Sequence, residues 1–261
     1  MTTLREALKL NGGGIISLVG AGGKTSLMSA LAAELSGSGD RVLATTTTKI
    51  AKPEPSQAAV VVVEKNPGLL IGKCRTALKD KPVVIGAADR SPPRNKLVGF
   101  SPETIAALWR SGIFRWIIVE ADGAARKPIK APADHEPVIP AGSKWVVGLV
   151  GLLCIGEPFS DRWVFRPDRF RRISGLNHGE PISPAAAAAA LVHPQGILKG
   201  SPGAAAKIFF LNQADTPRRL DNGRKIVELL KQNPGACGRV IIGQLMPAPQ
   251  VVEFADLDPS R

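Results

Sequence analysis

A lysine and a threonine directly behind a glycine turn are the residues of this chain best suited to polyphosphate chemistry. Residues 16–27 read ISLVGAGGKTSL. Glycines let consecutive backbone N–H groups turn toward phosphate oxygens, and a following helix adds the positive end of its dipole. In that setting Gly20, Ala21, Gly22 and Gly23, with Lys24, Thr25 and Ser26, line a nucleotide-phosphate site. Lys24 neutralises the β/γ oxygens, and the Thr25 hydroxyl holds Mg²⁺. The spacing departs from the usual GxxxxGK[ST] where Leu18 stands in place of the first glycine. Lys24 is expected to face ligand rather than core.

Three further stretches sit where such a site needs functional groups. Thr45-Thr46-Thr47-Thr48-Lys49 closes an apolar run, and ligands of doubly wound sheets bind outside the carboxyl ends of strands. Thr47 and Thr48 are therefore expected to sense a γ-phosphate, against the plain liking of threonine for strands. In IIVEADG (117–123), Glu120 and Asp122 follow an apolar strand, the place of a carboxylate that holds Mg²⁺ directly or through water. Which of the two serves the metal is open, and Gly123 is free to bring its N–H near a phosphate. FFLNQAD (209–215) ends a strand with Asn-x-x-Asp. Asp215 would accept from the N1–H and 2-amino group of guanine, with Asn212 supporting the base. Gln213 replaces the usual lysine there. The loop cations Arg126, Lys127 and Lys130 either offset transition-state charge or face water, and His135-Glu136 reads as loop structure or a substrate contact.

The elements that must position these residues alternate between short apolar runs and helical patterns, the signature of a mostly parallel sheet. Strands are expected at 15–19, 41–48, 58–64, 82–86, 115–123, 144–152, 207–215 and 239–246. Helices are expected from Lys24 through Leu35, at 102–109 behind Ser101-Pro102, at 183–192 and around 224–231, with a short amphipathic helix carrying Leu4, Leu8 and Leu10. The fold expected is a single α/β P-loop NTPase-like domain over 1–261, helices on both sheet faces, with an irregular insertion around 124–181. The last dozen residues are expected on the surface.

Composition bounds the function. The chain has 261 residues, 44% of them hydrophobic, enough for one sizeable core. No apolar run reaches the roughly 18 residues of a membrane span, and the start lacks a secretory h-region. Cys74, Cys154 and Cys237 are odd in number and lack CxxC spacing, which points to the cytoplasm and away from disulfides or structural zinc. The formal charge of +12 raises nucleic acid as a partner, yet only residues 162–172 interleave arginine with aromatics, so general nucleic-acid binding is not expected. A solvated basic surface is the first reading of the charge, and a pocket for a phosphorylated or pyrophosphorylated small molecule the next.

VGAGGKTS, ATTTTK, VEADGAARKPIKAPADHEPVIP and LNQAD together resemble the YqeC-type accessory proteins of selenium-dependent molybdenum hydroxylases, over about Gly14 to Gly243. The resemblance implies a role in maturing a molybdenum or selenium cofactor, with a molybdenum hydroxylase or its cofactor-maturation proteins as partners. GKT with ExxG (120–123) is also similar to the GTPases that insert metals into enzymes, and the short GAGGKT turn to that of Mur-type ATP-dependent ligases.

The expected function is a cytoplasmic Mg²⁺- and GTP-dependent switch in cofactor maturation, ATP remaining an alternative nucleotide. Lys24, Glu120 and Asp122 would be catalytic, and Thr25, Glu120 and Asp122 would hold Mg²⁺. One rival is an ATP-dependent ligase or kinase acting on a small acid or pterin, with His135, Lys127 and Lys130 in its acceptor site. Another is a non-catalytic nucleotide- or cofactor-binding module. Self-association is left open.

Overall fold

Residues 2–51, 59–91, 96–233 and 235–257 are described by a computed structural model. Its elements run α1 (Leu4–Ala7), β1 (Gly14–Gly20), α2 (Lys24–Gly37), β2 (Val42–Thr46), β3 (Lys49–Ala51), β4 (Ala59–Val63), α3 (Pro67–Ala77) and β5 (Val83–Ala87). There follow β6 (Asp89–Ser91), β7 (Lys96–Val98), α4 (Pro102–Arg110), β8 (Trp116–Glu120), β9 (Ile129–Lys130), β10 (Ser143–Gly151), β11 (Val164–Phe165) and α5 (Pro167–Ser174). The chain continues through α6 (Pro184–Val192), β12 (Ala206–Asn212), α7 (Pro217–Lys231), β13 (Arg239–Gln244) and β14 (Gln250–Asp256).

Nine strands form one sheet in the order β14-β13-β12-β10-β1-β8-β2-β5-β4. Every pairing is parallel except that of β14 with β13. Parallel strands covered on both faces read as continuous apolar runs, and all seven residues of β1 are buried. Alternate side chains divide between the faces. Ile16 and Leu18 join Val42, Ile118, Val147 and Phe210 beneath α1 and α2. Ile15 packs with Leu43, Ile117 and Val119 beneath α3 and α4. Farther along that face, Phe209, Leu211, Val240 and Ile242 meet Phe170, Leu191, Ile226 and Leu230 of α5, α6 and α7. The expected single α/β domain with a mostly parallel sheet is what the chain forms, an arrangement consistent with a P-loop NTPase-like fold.

Local chemistry explains the boundaries that differ from expectation. Helix α7 starts seven residues before Arg224 because Thr216 caps it, accepting from the Arg219 N–H, with proline next. Helix α3 carries little helical signal in the sequence, because Gly68 and Gly72 dilute its helix propensity. Asn66 starts it by accepting from the N–H groups of Gly68 and Leu69. The described part of the tail lies on the surface as the edge strand β14, its residues exposed or half-buried, with Leu257 buried behind it; residues 258–261 and Ala58 lie outside the described residues. Residues 124–181 include β10, which pairs directly with β1. Among the described residues, no helix is long and apolar enough to cross a membrane.

The end of β2 is braced from behind by Gly99, whose N–H donates to the Thr48 carbonyl at 2.7 Å. A Cβ at Gly99 would stand 2.2 Å from the Thr46 carbonyl oxygen, whereas one at Gly123 would meet nothing within 4 Å. Gly99→Ala should therefore cost about 1–3 kcal/mol, a melting-temperature loss of roughly 2–10 °C at this size. Gly123→Ala should stay within about 0.5 kcal/mol of wild type. Thermal unfolding of the two variants checks the pair; equal losses would contradict this packing.

Candidate active site

The glycine turn is shorter than the usual loop. Leu18 is fully buried in the middle of β1, paired with Val147 on one side and Glu120 on the other. It belongs to the strand, so the position that usually starts the loop does not exist here as loop. Gly20, Gly22 and Gly23 have φ of 88°, 80° and 135°, a region that favours glycine. A Cβ on Gly22 would lie 2.3 Å from the Gly151 nitrogen.

Three of the N–H groups expected to face a ligand are held by the protein itself. Gly20 N–H donates to Asp122 Oδ2 at 3.0 Å. Ala21 N–H donates to the Leu149 carbonyl at 2.9 Å and Gly22 N–H to the Lys127 carbonyl at 3.1 Å. The donors that remain at the start of α2 are those of Gly23, Lys24, Thr25 and Ser26. Gly23 is the N-cap, and no side chain caps the helix, whose first N–H groups lack intrahelical partners.

Lys24 does not project into solvent. It is 4% exposed, its ammonium donates to the Gly20 carbonyl at 2.5 Å, and it lies 3.2 Å from Asp122 Oδ1 and 3.8 Å from Glu120 Oε1. The expectation that this lysine faces ligand rather than core is thereby corrected: it belongs to a buried ion cluster. Strand pairing is the reason, because β8 runs beside β1 and delivers Glu120 and Asp122 to the turn.

The two carboxylates have different neighbours. Glu120 Oε2 accepts from the Thr25 hydroxyl at 3.0 Å. Asp122, with no exposed surface, is shared by Gly20 N–H, Lys24 and the Lys130 ammonium, the last at 2.9 Å from Oδ2. Lys130 continues to Glu136 Oε2 at 2.8 Å, and Arg166 grips Glu136 with both terminal nitrogens. Lys24, Lys130 and Arg166 thus face Glu120, Asp122 and Glu136, three basic groups against three carboxyl groups. Burial pushes the Glu120 carboxyl above its ordinary range, with Lys24 and Thr25 offsetting only part. Burial opposes the charge of Glu136 too, but hydrogen bonds from Arg166 and Lys130 outweigh it and hold that carboxyl at about 2.

All four hydroxyls of the threonine run are hydrogen-bonded within the protein. Thr45 donates to the Gly86 carbonyl and Thr46 to the Glu120 carbonyl, fixing β2 to its neighbours. Thr47 donates to the Val138 carbonyl at 2.8 Å, and Thr48 meets the Thr46 hydroxyl at 3.2 Å. The Asn212 side chain donates to the Gly22 carbonyl at 2.7 Å, bringing the Asn-x-x-Asp stretch against the glycine turn. Buried Asn212 Oδ1 has no hydrogen-bond partner. Asp215 points outward and pairs with Arg219 at 2.5 Å, leaving its side chain 45% exposed.

Other candidates fall away from this cluster. His135 is exposed beside buried Glu136, so the member of that pair that joins the site is the glutamate. The sequence pointed to Glu136 only as the neighbour of His135, to Thr46 only within the threonine run and to Arg166 only within the basic–aromatic stretch 162–172, and gave none of them its observed partner. Cys154 donates to the Gly151 carbonyl, and burial pushes its thiol up to about 12, which leaves no reactive thiolate. Among the described residues no cluster of three or more His, Cys, Asp or Glu side chains could hold a metal. Mg²⁺ needs no such cage: one carboxylate with phosphates and waters suffices, and Thr25 with Glu120 is the pair that fits. A cavity of about 610 Å³ lies at the opposite end of the sheet, by Trp145, Lys207 and Arg239. Of the cations lining it, Lys9 and Arg239 are paired with Asp256 and Lys144 donates to the Gly13 carbonyl.

The sequence profile of a family described as "YqeC protein" matches residues 16–168, from the glycine turn through the Glu136–Arg166 pair. A curated Escherichia coli (strain K12) protein named "Uncharacterized protein YqeC" is 36% identical over 199 residues, covering 76% of this chain and 75% of that protein.

The opposite shifts of Glu120 and Glu136 separate a residue that strains the fold from one that holds it. A carboxyl held below its ordinary 4.5 contributes stability that is present above that value and lost as pH falls toward about 2. A raised carboxyl does the reverse: stability falls as pH rises through the interval above 4.5. At pH 7, Glu136→Gln should break a buried pair at a cost of about 3 kcal/mol, or roughly 6–12 °C in melting temperature. Glu120→Gln should leave the melting temperature unchanged or higher. Melting curves from pH 3 to pH 8 check this; a Glu120→Gln loss as large as that of Glu136→Gln would contradict it.

Proposed function

The chain belongs to the YqeC family, and from that premise we propose that it is a P-loop nucleotide-binding protein, a Mg²⁺-dependent cytoplasmic GTPase that assists maturation or insertion of the molybdenum/selenium cofactor of a hydroxylase. The observation that carries the nucleotide reading is the Thr25–Glu120 hydrogen bond beside Lys24 at an uncapped helix start. A hydroxyl, a carboxylate and a lysine at the end of adjacent parallel strands are the groups that a Mg²⁺–triphosphate requires.

Bound Mg²⁺ would neutralise charge developing on the phosphates; Thr25 and Glu120 would hold it. Asp122 anchors the turn through Gly20 and is the weaker candidate for metal. The uncapped N–H groups of Gly23 through Ser26 bind and orient phosphate oxygens, and Lys24 supplies the mobile cation. Thr47 and Thr48 stand at the neighbouring strand end, where a γ-phosphate sensor belongs. Asn212, bonded to the turn, links the base-reading segment to the phosphate site. The hydroxylase role and its partners rest on the resemblance of the EADG, KAP and HEP stretches.

One observation favours a second reading. Asp215 is engaged by Arg219, and the short turn suits an ATP-dependent ligase or kinase as well as a GTPase. If GTP is the nucleotide, Arg219 must yield Asp215 to the guanine edge.

Thermal shift tests the phosphate site first. Mg²⁺–GTP at about 100 times its dissociation constant adds about 2.7 kcal/mol, which raises the melting temperature by roughly 5–10 °C. Lys24→Ala lowers the apo melting temperature, since Lys24 is part of the buried cluster, and should also abolish the rise above its own baseline. An undiminished rise in that variant would refute the site.

Base choice is tested at Asp215. Asp215→Asn should lower GTP affinity roughly tenfold to several hundredfold and restore binding of xanthosine triphosphate. Wild-type preference for ATP with stoichiometric ADP and a modified acceptor would instead establish the ligase or kinase reading. Tight binding without turnover would establish a module.

A further inference from the structure

The two lysines on Asp122 are held in different ways. Lys130 lies in β9, which pairs with β11 at Phe165, and its side chain has no exposed surface. An ammonium has three donors. Those of Lys130 go to Asp122 Oδ2 at 2.9 Å, Glu136 Oε2 at 2.8 Å and the Gly123 carbonyl at 2.7 Å. The Phe165 ring stands 5.6 Å from the same nitrogen. Arg166 pins Glu136 from the far side, so no acceptor of Lys130 is free to swing away. Lys24 has one hydrogen bond, to the Gly20 carbonyl. Its carboxylate contacts at 3.2 Å and 3.8 Å are longer, and Asp122 Oδ1 makes no hydrogen bond.

We infer that Lys130 is a positioning residue of the phosphate site, the fixed counter-charge on Asp122 that lets Lys24 transfer to a nucleotide phosphate. The inference rests on the nucleotide reading above and goes beyond it. A buried carboxylate left without a cation is strongly disfavoured. If Lys24 were the sole partner of Asp122, moving it to a phosphate would strand that charge, and nucleotide would bind weakly. With Lys130 immobile, Asp122 keeps a cation and Gly20 N–H keeps its acceptor while Lys24 moves. Lys130 acts through Asp122 and Glu136 and does not touch substrate. Arg126 and Lys127 are unlike it, being open to solvent or half-exposed, with the Lys127 ammonium on the Arg162 carbonyl at 3.1 Å.

The test is a double-mutant cycle on the full chain, reading the dissociation constant of Mg²⁺–GTP, with Mg²⁺–ATP in parallel, by titration calorimetry. Lys130→Met should weaken binding at least tenfold. Asp122→Asn removes the charge that depends on Lys130, while Glu136, the other carboxylate on Lys130, keeps Arg166, so adding Lys130→Met to it should change affinity less than threefold. A side chain needed for structure alone would lower the melting temperature in both backgrounds without that recovery. Should Lys130→Met fail to fold, comparison of Asp122→Asn with the double variant still decides. A tenfold loss on removing Lys130 in the Asp122→Asn background, or unchanged affinity in Lys130→Met alone, overturns the inference. Lys24→Ala separates the two levels. If it binds like wild type, the phosphate site itself is wrong and the inference falls with it. If it loses binding while Lys130→Met does not, only the role of Lys130 is wrong.

Discussion

A carboxylate with no exposed surface, clamped between two lysines, sets the form of this protein's carboxyl-end surface. Asp122 takes the Gly20 N–H, Lys24 and Lys130 at once. Buried charge is tolerated only when paired and hydrogen-bonded. The need to satisfy Asp122 therefore fixes the end of β1, the first residue of α2 and the short strand β9 relative to one another. Glu136 and Arg166 extend the same requirement from the glycine turn to the residue preceding α5.

Strand order makes this possible. β1 has β8 on one side and β10 on the other, so carboxylates and glycine turn come from neighbouring strands. From β10, the Leu149 carbonyl accepts from Ala21, and the missing side chain of Gly22 lets the Gly151 backbone come close. β12, next to β10, delivers Asn212 to the Gly22 carbonyl. Four strands thus converge on three residues of turn. That convergence compresses the loop and leaves donors only at the helix start.

Most of this was legible where chemistry and spacing coincide in one segment. Gly20 through Thr25, Glu120, Asp122 and Asn212 announce themselves as polar or glycine residues at the ends of apolar runs, and strand alternation gives the sheet class. Leu18, an apparent fault in the motif, is a core residue of β1 because the turn is shorter. What stayed hidden depends on contacts far apart in sequence. Glu136 meets Arg166 across 30 residues and Lys130 meets Asp122 across eight, and neither pairing has a periodic signal. Helix α3 was obscured by its glycines, and β14 by a tail with no strong alternation. Asp215 shows the opposite limit: its spacing after Asn212 is suggestive, yet the structure gives its carboxylate to Arg219.

If Lys24 moves on an immobile Asp122–Lys130 base when nucleotide binds, a ligand-bound structure shows it directly. A crystal structure with Mg²⁺ and a non-hydrolysable GTP analogue gives the distances of both lysines from Asp122. Lys24 should leave its present 3.2 Å contact for a phosphate oxygen, with Glu120 and Thr25 at the metal. Lys130 should remain at 2.9 Å. An analogue seated away from residues 20–26, with Lys24 still on Asp122, or one that drew Lys130 off its carboxylates, would contradict it.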